Sequence, residues 1–325
     1  MFERIPDGKL FRVSFLLLPK FSLMAFASAV EPLRVANRLS GKTLYEWSLV
    51  SADGEPVFCS GGLGTVVDSS IRSELTADML VVVASFDPAE AASRPTLNWL
   101  RRIAGSGIWV TGVDTGSYVM AMAGLLDSRR ATTHWEHREI FRNDFPGVRL
   151  SEDVFVSDGR RVTVAGGTAC IDMMLNMIRD QHGYALATDV SDQFIYSRIR
   201  AGSDAQRMTL RDRLDVSNPC VVRAVEIMEG HTEDPLTTRE IAARVNVSLR
   251  ELERLFRRWM DVTPGRYYRQ IRLAKARTML LHSTSSVTDV AFNCGFSSVA
   301  SFSRSYKANF GHAPSAGRVN AVEIL

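Results

Sequence analysis

Thr237-Thr238-Arg239-Glu240-Ile241-Ala242-Ala243-Arg244-Val245-Asn246-Val247-Ser248-Leu249-Arg250-Glu251-Leu252-Glu253-Arg254-Leu255-Phe256 is the stretch whose reading fixes the rest of the chain. It describes two helices meeting at a tight turn. Thr237 with Glu240, and Ser248 with Glu251, fit the S/T-x-x-E pattern in which each partner satisfies an orphan N–H of the other, so both helix starts are marked. Ile241, Val245, Leu252, Leu255 and Phe256 recur at three- and four-residue spacings and put one face of each helix on a shared core. The opposite face of the second helix carries Arg250, Glu253, Arg254 and Arg257.

The same grammar returns downstream. Ser286 and Asp289 bracket another capped start, Ala291 and Phe292 are expected in the core, and Gly295 sits where a tight turn needs positive φ. Ser297 is expected to cap the helix Ser298–Lys307. Between the two units, Pro264 to about Leu281 reads as one helix with Tyr267, Ile271, Ala274, Ala276, Met279 and Leu280 on its inner side. At ~1.5 Å per residue it is about 24 Å long. That length suits two reading helices set one DNA turn apart.

Several dispersed motifs keep register across both units: Thr263-Pro264-x-x-Tyr267, Arg272-Leu273-x-x-Ala276, Leu280-Leu281, Val290-Ala291-x-x-x-Gly295-Phe296 and Phe302-x-x-x-Tyr306-Lys307-x-x-Phe310-Gly311-x-x-Pro314. With them, residues 217–325 resemble the AraC-type DNA-binding domain. Asp261 departs from the pattern, since that family usually has Gly before the Ser/Thr-Pro turn. The resemblance implies a double-stranded DNA operator as partner, and RNA polymerase if the protein activates. In the first reading helix Arg250, Glu253 and Arg254 match base-facing positions, where Arg pairs with guanine N7/O6 and Glu accepts from cytosine N4. Arg257 lies on the same face. The second helix offers Val299, Ala300, Ser301 and Arg304, with Arg304 and Lys307 suited to the phosphate backbone.

The 325 residues suit two domains, and 46% apolar with 23% charged residues is ordinary globular composition. From Ser217 onward there are 15 Lys/Arg against 10 Asp/Glu; before it, 24 against 26. The basic excess lies with the expected DNA-binding region, as phosphate neutralisation requires. Lys9, Arg12, the run Val13–Leu18 and Ala27-Ser28-Ala29 imitate a signal peptide, but Pro19 and Lys20 cut that run to strand length. No stretch reaches the ~20 apolar residues of a membrane span. Cys59, Cys170, Cys220 and Cys294 are too scattered for a metal or redox pair, and a cytoplasmic location is expected.

Residues 11–200 alternate strands and helices: Phe11–Leu18 strand, Phe21–Asn37 helix, Tyr45–Ser51 and Met79–Ala84 strands, Pro95–Ser106 helix, Trp109–Val113 strand, Gly116–Ala123 helix. Continuous apolar strands between helices argue an α/β sandwich with a parallel, flavodoxin-like sheet. Asp114 then stands at a strand-to-helix elbow, where neighbouring N–H groups favour negative charge.

That elbow, with Ala123-Gly124-Leu125-Leu126-Asp127-x-Arg129-Arg130-Ala131-Thr132-Thr133-His134-Trp135 and Thr163-x-Ala165-Gly166-Gly167-x-Ala169-x-Ile171-Asp172, resembles the PfpI-like, class I glutamine-amidotransferase-like domain that precedes AraC-type domains in one group of bacterial regulators. The resemblance spans nearly all of residues 11–200, and the sensor domain is taken as 1–200 with a linker at 201–216. In the enzymatic relatives the elbow residue is Cys, helped by Glu and often His; the matching positions here are Asp114, Glu31 and His134. Asp is a poor acyl-transfer nucleophile, so no catalytic residue is assigned and the domain reads as a sensor. Its expected ligand site is Glu31, Asp114, Thr115, Tyr118, His134 and Trp135. Glu31 against Asp114 would make a two-carboxylate pocket that attracts a cation, with Trp135 and Tyr118 adding cation–π attraction. Regulators with this Asp respond to small amine-bearing compounds, so the resemblance implies an effector of arginine, carnitine or betaine type.

The simpler alternative is that Asp114 caps its helix and Glu31 holds a structural bond. Two other functions stay open: a hydrolase or lyase acting through Asp114, Glu31 and His134, and a constitutive DNA-binding protein whose α/β domain only dimerises. His134 to His137 do not converge on one face, and neither metal nor cofactor is expected. Cys170 is read as a small buried packer, and Gly61-Gly62-x-Gly64 as a turn. A homodimer with its interface in the sensor is expected.

Overall fold

In the computed structural model the chain divides into two compact units, Met1–Gln206 and Arg207–Leu325. The structure describes residues 2–6, 8–207, 210–282 and 285–316.

The first unit is built on a seven-stranded sheet. In spatial order its strands are Phe155–Asp158, Arg161–Val164, Trp109–Asp114, Met79–Ala84, Phe11–Leu17, Tyr45–Ser51 and Ser69–Ser70. Every pairing is parallel except the edge hairpin, where Phe155 faces Val164 and Asp158 faces Arg161 in antiparallel register. The central strand Met79–Ala84 is buried along its whole length, because helices cover both faces. Alternate residues of the strands enter two cores. One packs against helices Leu23–Ser40 and Ala169–His182, the other against Arg94–Gly105 and Gly116–Met122. Gly61-Gly62 lie in the turn of a small hairpin, Val57–Phe58 with Gly64–Thr65.

The second unit is helical. Asn218 caps helix Pro219–Gly230 through its side chain, and Leu210, Leu214 and Val216 pack into the same core. Thr237/Glu240 and Ser286/Asp289 form complete capping boxes. Ser248 caps its helix by accepting from the Glu251 N–H, but Glu251 turns its carboxylate to Arg254 instead of reaching back. Each helix pair has its own core. The first gathers Ile241, Leu252 and Phe256; the second gathers Val290, Phe302 and Tyr306. Phe292 does not join the second: it is exposed, as is Ala274 on the connecting helix Pro264–His282, whose inner side is carried by Tyr268, Leu273 and Ala276.

Gly295 holds the two halves together. Its φ is 69°, and a Cβ there would lie 2.6 Å from Pro235 and 2.7 Å from the Thr232 carbonyl, in the loop before the first pair. Only glycine allows that approach. Across the same junction Arg272 donates to the Gly295 carbonyl (2.9 Å) and lies over the rings of Tyr268 and Phe296, while Lys275 donates to Thr232 (3.1 Å).

Candidate functional site

The strand Trp109–Asp114 ends at the elbow, where Asp114 takes φ 59° before helix Gly116–Met122 begins. Left-handed backbone at a non-glycine residue is held only when its surroundings over-determine it. Here they do. Ser117 Oγ donates to the Asp114 carbonyl (3.0 Å), Thr133 Oγ1 donates to the same oxygen (3.4 Å), and Thr115 Oγ1 ties the elbow to the Ser85 carbonyl (2.6 Å). Gly166, at φ 96°, closes the other side: a Cβ there would come within 2.9 Å of the Asp114 Cβ.

The carboxyl of Asp114 is buried, with 6% of the residue exposed. Burial drives its pKa up to about 7, against a hydrogen bond from Ser85; repulsion from Glu136 adds to the rise, and the Thr115 backbone opposes it. Thr115, not Asp114, is the helix N-cap residue, and its side chain makes no capping bond.

The expected ligand residues are only partly brought together. Glu31 gives its carboxylate to Arg34 on the same helix (2.6 and 2.9 Å) and is half-exposed. Tyr118 turns its hydroxyl to Asp144 (2.6 Å) and sets its ring edge-to-face with Phe141 and Phe145. His134 and Trp135 do lie on the segment that Thr133 pins to the elbow, with rings 5.5 Å apart, and Glu136 sits 3.7 Å from His134 Nδ1. The acid whose charge bears on Asp114 is therefore Glu136. Cys170 is fully buried, and burial raises its thiol well above the usual range, as a packing role requires.

On the second unit, Arg250, Glu253, Arg254 and Arg257 are all exposed along one side of helix Leu249–Met260. Arg254 is held by Glu251 one turn back (2.6 and 2.8 Å). The other helix, Val299–Phe310, is capped by Ser298 and not by Ser297. One residue more separates turn from helix than in the first pair. The turn residues Asn246 and Gly295, both at positive φ, are 49 positions apart, whereas the buried pairs Leu252/Phe302 and Phe256/Tyr306 are 50 apart. In that register Val299 matches Leu249 and packs against the core, and Ser301 matches Glu251. The outward set becomes Ala300, Ser303, Arg304 and Lys307, matching Arg250, Glu253, Arg254 and Arg257.

Comparison with known proteins agrees with both halves. The DJ-1/PfpI family model matches residues 12–180, and a helix-turn-helix domain model matches residues 241–319. The HTH-type transcriptional regulator CdhR of Pseudomonas aeruginosa is 48% identical over 94% of this chain and 90% of its own length. GbdR, an HTH-type transcriptional regulator of the same species, is 40% identical over 93% of this chain and 82% of its own. A crystal structure of an AraC family transcriptional regulator from Pseudomonas putida superposes with a TM-score of 0.50 at 28% identity, covering 57% of this chain and 99% of that one.

Proposed function

The chain belongs to the AraC-type transcriptional regulators that carry a DJ-1/PfpI domain ahead of the helix-turn-helix domain, and from that premise we infer that its elbow binds a small amine-bearing metabolite that controls operator binding. The observation that carries this reading is the acid at the elbow. A buried carboxyl with a pKa of about 7 beside the charge of Glu136 is short of positive charge. An ammonium of arginine, carnitine or betaine type supplies it, relieving the repulsion and drawing the proton off Asp114. His134 and Trp135 stand on the segment pinned over the elbow, with the Trp135 ring partly exposed for cation–π contact.

The identity of the elbow residue argues against covalent catalysis. A carboxylate at this position is a poor acyl-transfer nucleophile beside the thiolate of the enzymatic relatives, and the position is read as a binding one. The regulator is read as an activator of a catabolic operon, working as a homodimer with RNA polymerase as its partner at the promoter. The charged face Arg250, Glu253, Arg254 and Arg257 supports base reading in the first helix, and Ala300, Ser303, Arg304 and Lys307 support a second contact weighted toward the backbone.

A thermal-shift screen of the full chain against L-arginine, L-carnitine, glycine betaine and polyamines tests the reading. One compound should give a saturable rise in melting temperature, as binding to the native state requires, and Asp114→Ala should abolish it. A compound whose shift survives Asp114→Ala would move the site away from the elbow.

A further inference from the structure

The last segment of the first unit, residues 196–206, is fastened back onto the elbow. It is anchored first at Asp172, which is wholly buried: Tyr196 donates to it (2.9 Å), as do the Arg200 backbone and guanidinium (2.7 Å each). The segment then lies along the edge strand, where Gly202 and Asp204 offer carbonyls to the N–H groups of Phe155 (3.3 Å) and Val154 (3.0 Å). Gln206 makes the final contact. Its Nε2 donates to Thr132 Oγ1 (2.8 Å), the Thr133 carbonyl (3.0 Å) and the Asp153 carbonyl (3.1 Å).

Thr133 is the residue shared by both ends of this chain of bonds. Its hydroxyl holds the Asp114 carbonyl and its carbonyl holds Gln206. The next residue after Gln206 opens the second unit. The grip is also incompletely satisfied, because Gln206 Oε1 is buried without a protein partner among the described residues while three acceptors compete for its two amide hydrogens. A buried polar atom left unpaired offsets much of what the other bonds contribute. A contact so balanced is one that a small displacement at Thr133 can release.

We propose that Gln206 is the positioning residue that reports the state of the elbow to the chain's exit: a change at Asp114 moves Thr133, and Thr133 loosens or tightens residues 202–206. The proposal rests on the sensing reading above for its biological trigger. The linkage itself is a property of the first unit and is testable without an effector.

Hydrogen exchange of the full chain at pH 8 provides that test, with the Val154 and Phe155 amides as reporters because their acceptors lie on the segment. Asp114→Asn mimics the neutralised acid. It should change exchange at both amides roughly five- to tenfold, the scale of one hydrogen bond gained or lost. The change should vanish on a Thr133→Val background, which keeps the shape and removes the hydroxyl. Wild-type exchange rates in a folded Asp114→Asn protein would overturn the linkage, and so would a full-sized change persisting in Thr133→Val. A separate arm uses Gln206→Ala with L-arginine, L-carnitine and glycine betaine and a duplex selected by the wild-type protein from a random pool. The melting shift should survive and the compound's effect on DNA affinity should fall to about onefold; an unaltered effect would also overturn the proposal. If no compound shifts the wild-type protein, the sensing reading fails alone and the exchange result still decides the linkage.

Discussion

The elbow and the first reading helix are opposite ways of presenting charge. Asp114 is buried, held by residues from four separate parts of the chain, and strained; Arg250, Glu253 and Arg257 stand in solvent on a helix whose own periodicity puts them there. The difference teaches where each kind of substitution registers. A change among buried charges is felt first as stability, since an uncompensated charge in a low dielectric is expensive. On the proposed reading, a change on the exposed face registers as DNA affinity and leaves the fold almost untouched.

The largest expected effect lies at the buried pair. Arg200→Ala leaves Asp172 without its counter-charge and should destabilise the first unit by about 3–5 kcal/mol, read as a lower urea midpoint. Arg200→Ala within 1 kcal/mol of wild type, on the scale of an exposed pair, would erase the contrast.

Asp114→Asn sharpens the comparison through its pH dependence. The folded-state pKa of about 7 lies above the ordinary 3.8, so the folded state holds the proton more tightly and wild-type stability declines from about pH 4 to about pH 7. The Asn variant lacks that decline. It should match wild type at pH 4 and exceed it by on the order of 3–4 kcal/mol at pH 8, in urea titrations at the two pH values.

On the exposed side, Arg250→Ala should weaken binding to a selected duplex by about 1–3 kcal/mol and relax preference at one base pair, with stability changed by under about 0.5 kcal/mol. The smallest effect concerns Asp261, which ends the first reading helix in left-handed backbone at φ 51°. Asp261→Gly should raise the melting temperature of the second unit, corresponding to about 0.5–1 kcal/mol.

The same contrast explains what the sequence disclosed. Strand Met79–Ala84 and the capping boxes at Thr237 and Ser286 rest on adjacent residues, and the structure repeats them at the same positions. The antiparallel edge hairpin was not legible, because neither of its strands exceeds four residues. Asp114 at an elbow followed from one strand running into one helix. Its acidic neighbour did not, since Glu136 comes under consideration only once Thr133 is known to bond a carbonyl 19 positions earlier. The hold of Arg34 on Glu31, three residues back on the same helix, follows from helix spacing, which the likeness to the enzymatic relatives does not weigh. Two serines in succession, Ser297 and Ser298, give no local signal of which one caps; the buried Phe302 and Tyr306 set that register.

The additional residue between Gly295 and helix Val299–Phe310 has a practical meaning. Anyone wishing to retarget this regulator by transplanting one reading surface onto the other must align the helices and not the turns. Moving Leu249–Met260 into the place of Val299–Phe310, with Ser297 and Ser298 left intact, carries the four outward side chains across as a cassette and keeps the receiving core filled. The same graft aligned on Asn246 and Gly295 would be rotated by one residue, about 100° around the helix, and would turn arginines into the core.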